Sequence, residues 1–151
     1  LINQLVQSVY EDNESEARMR GKTLELNTVN RKIETFGDPI QIREAITNLV
    51  TNAIKYTGDN GKITMSLLIR NQQVVVEVVD NGQGIRQDQQ ERLFQPFYRA
   101  RTEENANIEG TGLGLHLVKN IIERHDGEMI FSSTYGKGST FGFYLPLKTE
   151  Q

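Results

Sequence analysis

Two asparagines and a lysine recur at helical spacing in the segment NLVTNAIKYT, residues 48–57. At about 100° per residue, Asn48, Asn52 and Lys55 fall on one polar stripe, beside an apolar stripe that runs from Ile42 to Ile54. Asparagine is a poor choice for the middle of a helix, because its amide competes with the backbone for hydrogen bonds. A ligand held at the rim of the apolar face would explain both asparagines. A solvated helix flank is the alternative that this helix alone leaves open.

Three loops carry closely spaced glycines: DNGQGI at 80–85, GTGLGL at 110–115 and GKGST at 136–140. Glycine is needed where the backbone takes a positive φ or must approach another group closely, so three such loops suggest one site built from several segments. Each loop alone is a weak signal, because a strand-end turn, a helix entry and a hairpin turn use the same residues. None of the loops spells GxGxxG and no P-loop sequence is present, so neither a classical dinucleotide fold nor a P-loop enzyme is indicated.

The composition limits the classes of function and the locations that the chain could have. A formal net charge of -3 over 151 residues gives no broad attraction to nucleic acid, and we predict no nucleic-acid partner. The absence of cysteine excludes disulfides, zinc–thiolate sites and thiol nucleophiles, and it fits a reducing compartment, so we predict a cytoplasmic location. No apolar run approaches the roughly 20 residues of a membrane span, and the chain opens without a signal peptide or a Met. We therefore expect a fragment of a longer protein whose membrane or sensory parts lie elsewhere.

Hydrophobic periodicity predicts the elements that position these residues. Apolar residues at helical spacing alternate with short strand-like patterns, which predicts a mixed, mostly antiparallel sheet with its helices packed on one face. The polar stretch 96–112 is too long for an idle connection in a compact domain and is predicted to be a mobile lid. The predicted helices are 3–20, one that begins at Asp38–Pro39, 88–94, and one from Gly112 to about His125; the predicted strands are 23–30, 32–36, 63–69, 74–80, 128–135 and 139–147.

Five segments occur in an order and at a spacing that resemble a known family: NLVTNAIKYT, DNGQGI, RLFQPFYRA, EGTGLGL and GKGSTF. Together they resemble the ATP-binding catalytic domain of sensor histidine kinases over roughly residues 21–148. The resemblance implies the fold shared by gyrase-type, chaperone-type and kinase-type ATPases, the Bergerat-type α/β (α+β) two-layer sandwich, with ATP bound under a flexible lid. It also implies a division of the chain into an entry helix, 1–20, and a catalytic ATP-binding domain, 21–151.

The resemblance implies how the base of the nucleotide is held. Asp80 matches the aspartate that accepts a hydrogen bond from the exocyclic amine of adenine, and Thr140 matches the hydroxyl that supports the same edge. Guanine carries a carbonyl at that place, which would face an acceptor-only carboxylate, so the site should prefer ATP over GTP. Gly82 and Gly84 would let the backbone approach the nucleotide.

The resemblance also implies the contacts to metal and phosphate. Asn52 matches the Mg²⁺ ligand, an oxygen donor suited to a hard cation that shares the phosphates, and Asn48 would assist one turn earlier. Lys55 matches a phosphate-contacting lysine, and Tyr56 would line the pocket. The other expected nucleotide-binding residues are Ile85, Phe97, Arg99, Gly110, Thr111, Gly112, Leu113, Gly114 and Leu115, where the last six belong to the end of the lid and the start of a helix.

The residue at position 48 bears on the reaction. In the relatives that hydrolyse ATP by activating water, a glutamate stands where this chain has Asn48, and an amide is no general base. Glu44, one turn earlier, is too far away to replace it, so we expect slow hydrolysis, with the γ-phosphate held for another acceptor. His116 is expected to be a packed or rim side chain and His125 a helix C-terminal residue, so neither is predicted to accept phosphate.

The partners follow from the same resemblance. The phosphoacceptor histidine would lie on a dimerisation domain before residue 1, and a response regulator would receive the phosphate. The parent protein is expected to be a homodimer and the fragment a monomer. Two alternatives remain open: a nucleotide-dependent binding or switch module without kinase activity, and a serine kinase of the anti-sigma type.

Overall fold

The computed structural model describes residues 1–58, 60–90 and 114–148. In chain order the elements are α1 (Ile2–Met19), β1 (Thr23–Thr28), α2 (Pro39–Tyr56), β2 (Lys62–Arg70), β3 (Gln73–Asp80), α3 (Gln87–Gln90), α4 (Gly114–Arg124), β4 (Glu128–Thr134) and β5 (Gly138–Pro146). The predicted lid and the end of the predicted helix 88–94 lie outside the described residues. Within those residues, no helix is both long enough and apolar enough to span a membrane.

The five strands form one sheet in the order β1-β2-β3-β5-β4. β1 pairs with β2 in parallel, and the other three pairs are antiparallel. β2–β3 and β4–β5 are the two predicted hairpins. The prediction of a mixed, mostly antiparallel sheet with helices on one face is confirmed.

A single apolar core lies between the helices and the covered face of the sheet. α1 belongs to this core, because Ile2, Val6, Val9 and Ala17 are each at most 1% exposed. α1 also contacts α2 and β1, and the side chain of Arg43 forms an ion pair with Asp12. Residues 1–20, the predicted entry helix, therefore pack against the same core as the sheet.

The predicted strand at 32–36 is wrong. Ile33 is buried, as the alternating pattern requires, but the segment pairs with no strand of the described sheet. Its backbone groups bond elsewhere: the carbonyl of Ile33 accepts from the N–H of Ile2 at 3.0 Å, and that of Glu34 accepts from the N–H of Lys148 at 2.8 Å. The segment thus fastens the start of α1 to the end of the chain's last strand.

α2 is set up by local sequence and carries the predicted polar stripe. The carboxylate of Asp38 caps the helix by accepting from the N–H groups of Ile40 at 2.9 Å and Gln41 at 3.3 Å, and Pro39 occupies the first turn. The seven apolar residues of the predicted stripe are all buried: Ile42, Ala45, Ile46, Leu49, Val50, Ala53 and Ile54. Because the core holds the apolar face of α2 in place, the orientation of the polar stripe with Asn48, Asn52 and Lys55 is fixed as well.

Candidate functional site

Asp80 ends β3 and points to the helix-covered face of the sheet. It lies two residues after Val78, which is 1% exposed, and alternate residues of a strand share a face. The carboxylate accepts a hydrogen bond from the N–H of Gly82 at 2.9 Å. Burial raises the pKa of the Asp80 carboxyl above its ordinary value, and hydrogen bonds from the backbone of Gly82 and Ser139 act in the opposite direction. Among the described residues no cation forms a salt bridge with Asp80, so no positive charge in that part of the chain neutralises its carboxylate.

That Thr140 supports the same base edge as Asp80 stays a prediction, and the structure places these two residues on opposite faces of the sheet. The cross-strand partner of Asp80 is Ser139, whereas Thr140 is opposite Val79, which is 39% exposed on the other face of the sheet. Successive residues of a strand alternate between faces, so a shift of one position moves a side chain to the wrong side. Ser139, 7% exposed, is the hydroxyl that the fold places beside Asp80.

Ser133 is a second hydroxyl that the motif comparison does not identify. It is the cross-strand partner of Ser139 on β4, and the two Oγ atoms are 2.9 Å apart. The N–H of Ile85 donates to Ser133 Oγ at 2.8 Å. Asp80, Ser139 and Ser133 therefore form a row across three neighbouring strands, and the loop after β3 is bonded to the end of that row. Sequence reasoning could have found this row only by aligning the three strands outward from Asp80. That alignment requires knowing that the strands are ordered β3-β5-β4 in the sheet.

Two of the three glycine loops meet, as predicted. A Cβ on Gly84, whose φ is +71°, would lie 2.3 Å from the carbonyl oxygen of Thr134, and one on Gly138, whose φ is +138°, would lie 2.1 Å from the carbonyl oxygen of Asp80. The N–H of Gly136 also donates to the carbonyl of Gln83 at 2.5 Å. These glycines are required by the close packing of the 81–85 loop on the β4–β5 hairpin, before any ligand is considered.

The same loop contacts the end of α2. A Cβ on Gly82 would lie 2.9 Å from Oδ1 of Asp80, 3.1 Å from the carbonyl oxygen of Tyr56 and 3.2 Å from Cα of Thr57. The helix end and the aspartate therefore face each other across one glycine. The Oγ1 atom of Thr57 is buried there and has no hydrogen-bond partner among the residues that the structure describes. The predicted adenine end of the site thus contains a carboxylate that forms no salt bridge within the described part of the chain, next to backbone that a Cβ at position 82 would crowd.

The polar stripe of α2 extends from this point toward the start of α4. Asn48 and Asn52 are half-buried, Lys55 is exposed and Tyr56 is half-buried. The Asn48 Nδ2 group donates to the carbonyl of Glu44 at 2.8 Å, and a Cβ on Gly114 would lie 3.5 Å from Asn48 Oδ1. The structure therefore brings the N-terminal end of α4 close to Asn48, while Ile85 and Leu115 pack against the core.

Several predicted site residues cannot be placed. Phe97, Arg99, Gly110, Thr111, Gly112 and Leu113 lie outside the described residues. In the described part of the chain no three His, Cys, Asp or Glu side chains cluster to hold a metal ion. A metal held here would take amide and phosphate oxygens instead, which is the ligand set that Mg²⁺ accepts.

His125 joins two helices. Its Nε2 accepts from the backbone N–H of Asp38 at 3.0 Å, and its Nδ1 lies 2.7 Å from the carbonyl oxygen of Ile121. An N–H must donate and a carbonyl must accept, so the ring is the neutral tautomer with its proton on Nδ1. Both ring nitrogens are engaged within the fold, which agrees with the expectation that His125 accepts no phosphate. The other histidine, His116, has its Nε2 atom 3.1 Å from Nδ2 of Asn120 on α4.

Comparisons with protein families and with known proteins all lead to histidine kinases and the ATPase family that includes them. The family described as histidine kinase-, DNA gyrase B- and HSP90-like ATPase matches residues 37–149. The chain is 44% identical over 113 residues to the adaptive-response sensory kinase SasA of Crocosphaera subtropica, covering 74% of this chain and 29% of that protein. It is 36% identical over 147 residues to the sensor histidine kinase ZraS of Escherichia coli, covering 97% and 30%. The chain thus spans less than a third of these two relatives.

A solved structure agrees with the sequence matches. The catalytic domain of the histidine kinase ThkA superposes with a TM-score of 0.81 at 30% identity, over 96% of this chain and 91% of that domain. The likeness therefore includes α1 and the whole sheet.

Proposed function

This chain belongs to the family of histidine kinase-, DNA gyrase B- and HSP90-like ATPases, as the ATP-binding catalytic domain of the sensor histidine kinase type, and we propose from it how Mg-ATP is held and used. In this proposal the parent protein transfers the γ-phosphate of ATP to a histidine on its own dimerisation domain and from there to a response regulator. The observation that supports it most is the half-buried Asp80 carboxylate beside the end of α2, which has no cation partner among residues 1–58, 60–90 and 114–148.

Asp80 is the residue proposed to recognise adenine. An exocyclic amine has protons to donate, and a carboxylate with no cation partner among the described residues is a strong acceptor for one of them. With guanine, a carbonyl oxygen would face the Asp80 carboxylate, and neither acceptor would receive a hydrogen bond. The same carboxylate therefore discriminates ATP from GTP in this proposal. We assign the supporting hydroxyl to Ser139, because Ser139 shares the face and the strand position of Asp80.

The phosphates are proposed to lie along the polar stripe of α2. Asn52 supplies an amide oxygen to Mg²⁺, the phosphates supply more oxygens, and bound Mg²⁺ would neutralise charge on the phosphates during transfer. Asn48 lies one turn away beside the start of α4, and Lys55 is exposed and available to a phosphate oxygen. The predicted contacts at Tyr56, Gly82, Gly84, Ile85, Gly114 and Leu115 complete the described part of this proposed site.

The proposed reaction is transfer to a protein group rather than to water. Asn48 is an amide whose Nδ2 already donates to the helix backbone, so it does not remove a proton from water. Among the described residues the only carboxylate one turn from it is Glu44, whose side chain is exposed. Positioning and charge neutralisation are then the main contributions of this domain to catalysis.

Calorimetric titration tests the proposal. The protein is titrated with a non-hydrolysable ATP analogue, with and without Mg²⁺, beside the matching GTP analogue. We expect binding that is selective for ATP and strengthened by Mg²⁺. No binding to a folded sample would refute the nucleotide site, and equal binding of both analogues would refute the role of Asp80.

A second measurement tests the predicted lid. Amide hydrogen exchange at 99–111 should be fast without nucleotide and slower with the ATP analogue bound, because a closed segment exchanges less often. Unchanged exchange at these positions in the saturated protein would refute a lid role.

A further inference from the structure

The 81–85 loop lies directly against the carboxylate that is proposed to recognise adenine. The N–H of Gly82 donates to Asp80 Oδ1 at 2.9 Å. The start of the loop is fastened to β2, because the N–H of Lys62 donates to Asn81 Oδ1 at 2.8 Å. The path of this loop therefore decides whether one of the hydrogen bonds that orient the Asp80 carboxylate can form.

The other end of the loop is held by two side chains that are not among the predicted site residues. The N–H of Ile85 donates to Ser133 Oγ at 2.8 Å, and Gln90 Nε2 donates to the carbonyl of Ile85 at 2.8 Å. The same Nε2 atom lies 3.4 Å from the carbonyl oxygen of Ser133, so Gln90 also contacts β4. Both backbone groups of Ile85 are thus bonded to side chains from outside the loop.

The hydroxyl of Ser133 is fully used by contacts within the fold. It donates its one proton to the carbonyl of Gly138 at 3.2 Å and accepts from the N–H of Ile85. Ser139 Oγ lies 2.9 Å away, and because the Ser133 proton is already used, Ser139 is the donor in that contact. A hydroxyl has one donor and two acceptor sites, so Ser133 has none left for a ligand. Its contribution to a nucleotide site is to hold the loop.

The middle of the loop is held by close contacts with the β4–β5 hairpin. A Cβ on Gly84 would lie 2.3 Å from the carbonyl oxygen of Thr134, and the N–H of Gly136 donates to the carbonyl of Gln83 at 2.5 Å. The hairpin and the loop therefore meet at three consecutive loop positions, 83 to 85. Only the last of these contacts is made through side chains, so it is the one that substitution can release without changing a glycine.

We propose that Ser133 and Gln90 are positioning residues for adenine recognition. By holding both backbone groups of Ile85, they fix the 81–85 loop in the path from which it donates to Asp80. A loop that already has its binding conformation loses less conformational freedom when the nucleotide binds, and binding is tighter for that reason. This inference rests on the proposed function, since it concerns the same site.

The first test is calorimetric titration with a non-hydrolysable ATP analogue. Ser133→Ala removes the acceptor for the Ile85 N–H, and Gln90→Met removes both Nε2 contacts while keeping a side chain of similar length. Each should weaken binding about 3- to 10-fold, the loss expected for one hydrogen bond. The matched controls are Ser132→Ala, exposed on the opposite face of β4, and Gln87→Met, exposed at the start of α3. Both controls should bind like the wild type.

Amide hydrogen exchange without nucleotide separates positioning from a general loss of stability. If the bonds to Ile85 hold the loop, the Gly82 amide should exchange faster in Ser133→Ala and in Gln90→Met than in the wild type. This increase should be larger than any increase at Val76, a buried residue of the central strand β3. An equal increase at both amides would mean that the substitutions only lower global stability, and it would overturn the proposal.

The two variants keep the proposal testable if one of them does not fold, because each removes a different bond to Ile85. Unchanged affinity for the ATP analogue would overturn the role of the substituted residue. Weaker binding with unchanged exchange at Gly82, or an equal loss of affinity in the control variants, would also overturn it. Failure of the wild type to bind would instead refute the proposed function, and exchange at Gly82 would still show whether Ser133 and Gln90 hold the loop.

Discussion

Replacing the Asp80 carboxylate by an amide should separate the stability of this domain from its function. Asp80→Asn keeps the size of the side chain and the acceptor for the Gly82 N–H. Burial is the largest effect on the pKa of Asp80, and it raises that pKa above 3.8. The folded state then binds this proton more tightly than the unfolded state, so the stabilising contribution is full below pH 3.8 and is lost as pH rises through the folded pKa. At pH 7 the nucleotide-free variant should therefore be at least as stable as the wild type, and the difference should vanish in acid.

The effect on nucleotide binding should be opposite and large. A hydrogen bond to a charged acceptor contributes about 1.5–3 kcal/mol, so its loss should weaken ATP binding roughly 10- to 150-fold. With ligand at 100 times the wild-type dissociation constant, the wild type gains about 2.7 kcal/mol, or about 5–11 °C in Tm for a domain of this size. At the same concentration the variant should gain only about 0.3–1.4 kcal/mol.

Thermal unfolding monitored with and without the ATP analogue measures both effects. Asp126→Asn is the matched control, because it makes the same chemical change at an exposed residue with φ of +63°, a conformation that Asn tolerates. A full ligand-dependent rise of Tm in Asp80→Asn would refute the adenine contact. A large loss of stability in the nucleotide-free variant at pH 7 would refute the reasoning from burial.

Three further experiments test the geometry of the site by substitution. Ser139→Ala should weaken binding of the ATP analogue several-fold while Thr140→Ala leaves it unchanged; the reverse order in calorimetric titration would contradict the assigned face. Asn52→Ala should reduce the Mg²⁺-dependent part of ATP binding more than the Mg²⁺-free part, and equal losses would indicate simple destabilisation. Gly84→Ala and Gly136→Ala both place alanine at positive φ, which should lower the free energy of unfolding by about 1–2 kcal/mol in denaturant titrations. Only at Gly84 would the new Cβ also lie 2.3 Å from a backbone carbonyl oxygen. Gly84→Ala should therefore be clearly the less stable of the two, and equal stability would mean that the loop does not need this close contact.

Local periodicity is sufficient to predict the elements that hold the site. Asp38 and Pro39 start α2 because a side-chain acceptor and a fixed φ favour the first helical turn whatever lies around them. The hairpin β2–β3 is likewise predicted locally, from two strand-like segments joined by a short turn. The segment 32–36 shows where this fails: Ile33 is buried like a strand residue, but strand pairing depends on a neighbour that the segment does not have.

The sequence by itself determined the family of this domain, the direction of the polar stripe on α2, and the ends of the strands that carry Asp80 and Ser139. The stripe and the strand ends depend on residues close together in the chain, and the family depends on the order and spacing of five short segments. Only the tertiary structure decided that Ser139 rather than Thr140 faces the helices, that Ser133 completes the row, and that α1 shares the core. The physical reason is that side chains alternate every residue along a strand, so one position of register, fixed by pairing between distant segments, decides which hydroxyl enters the site.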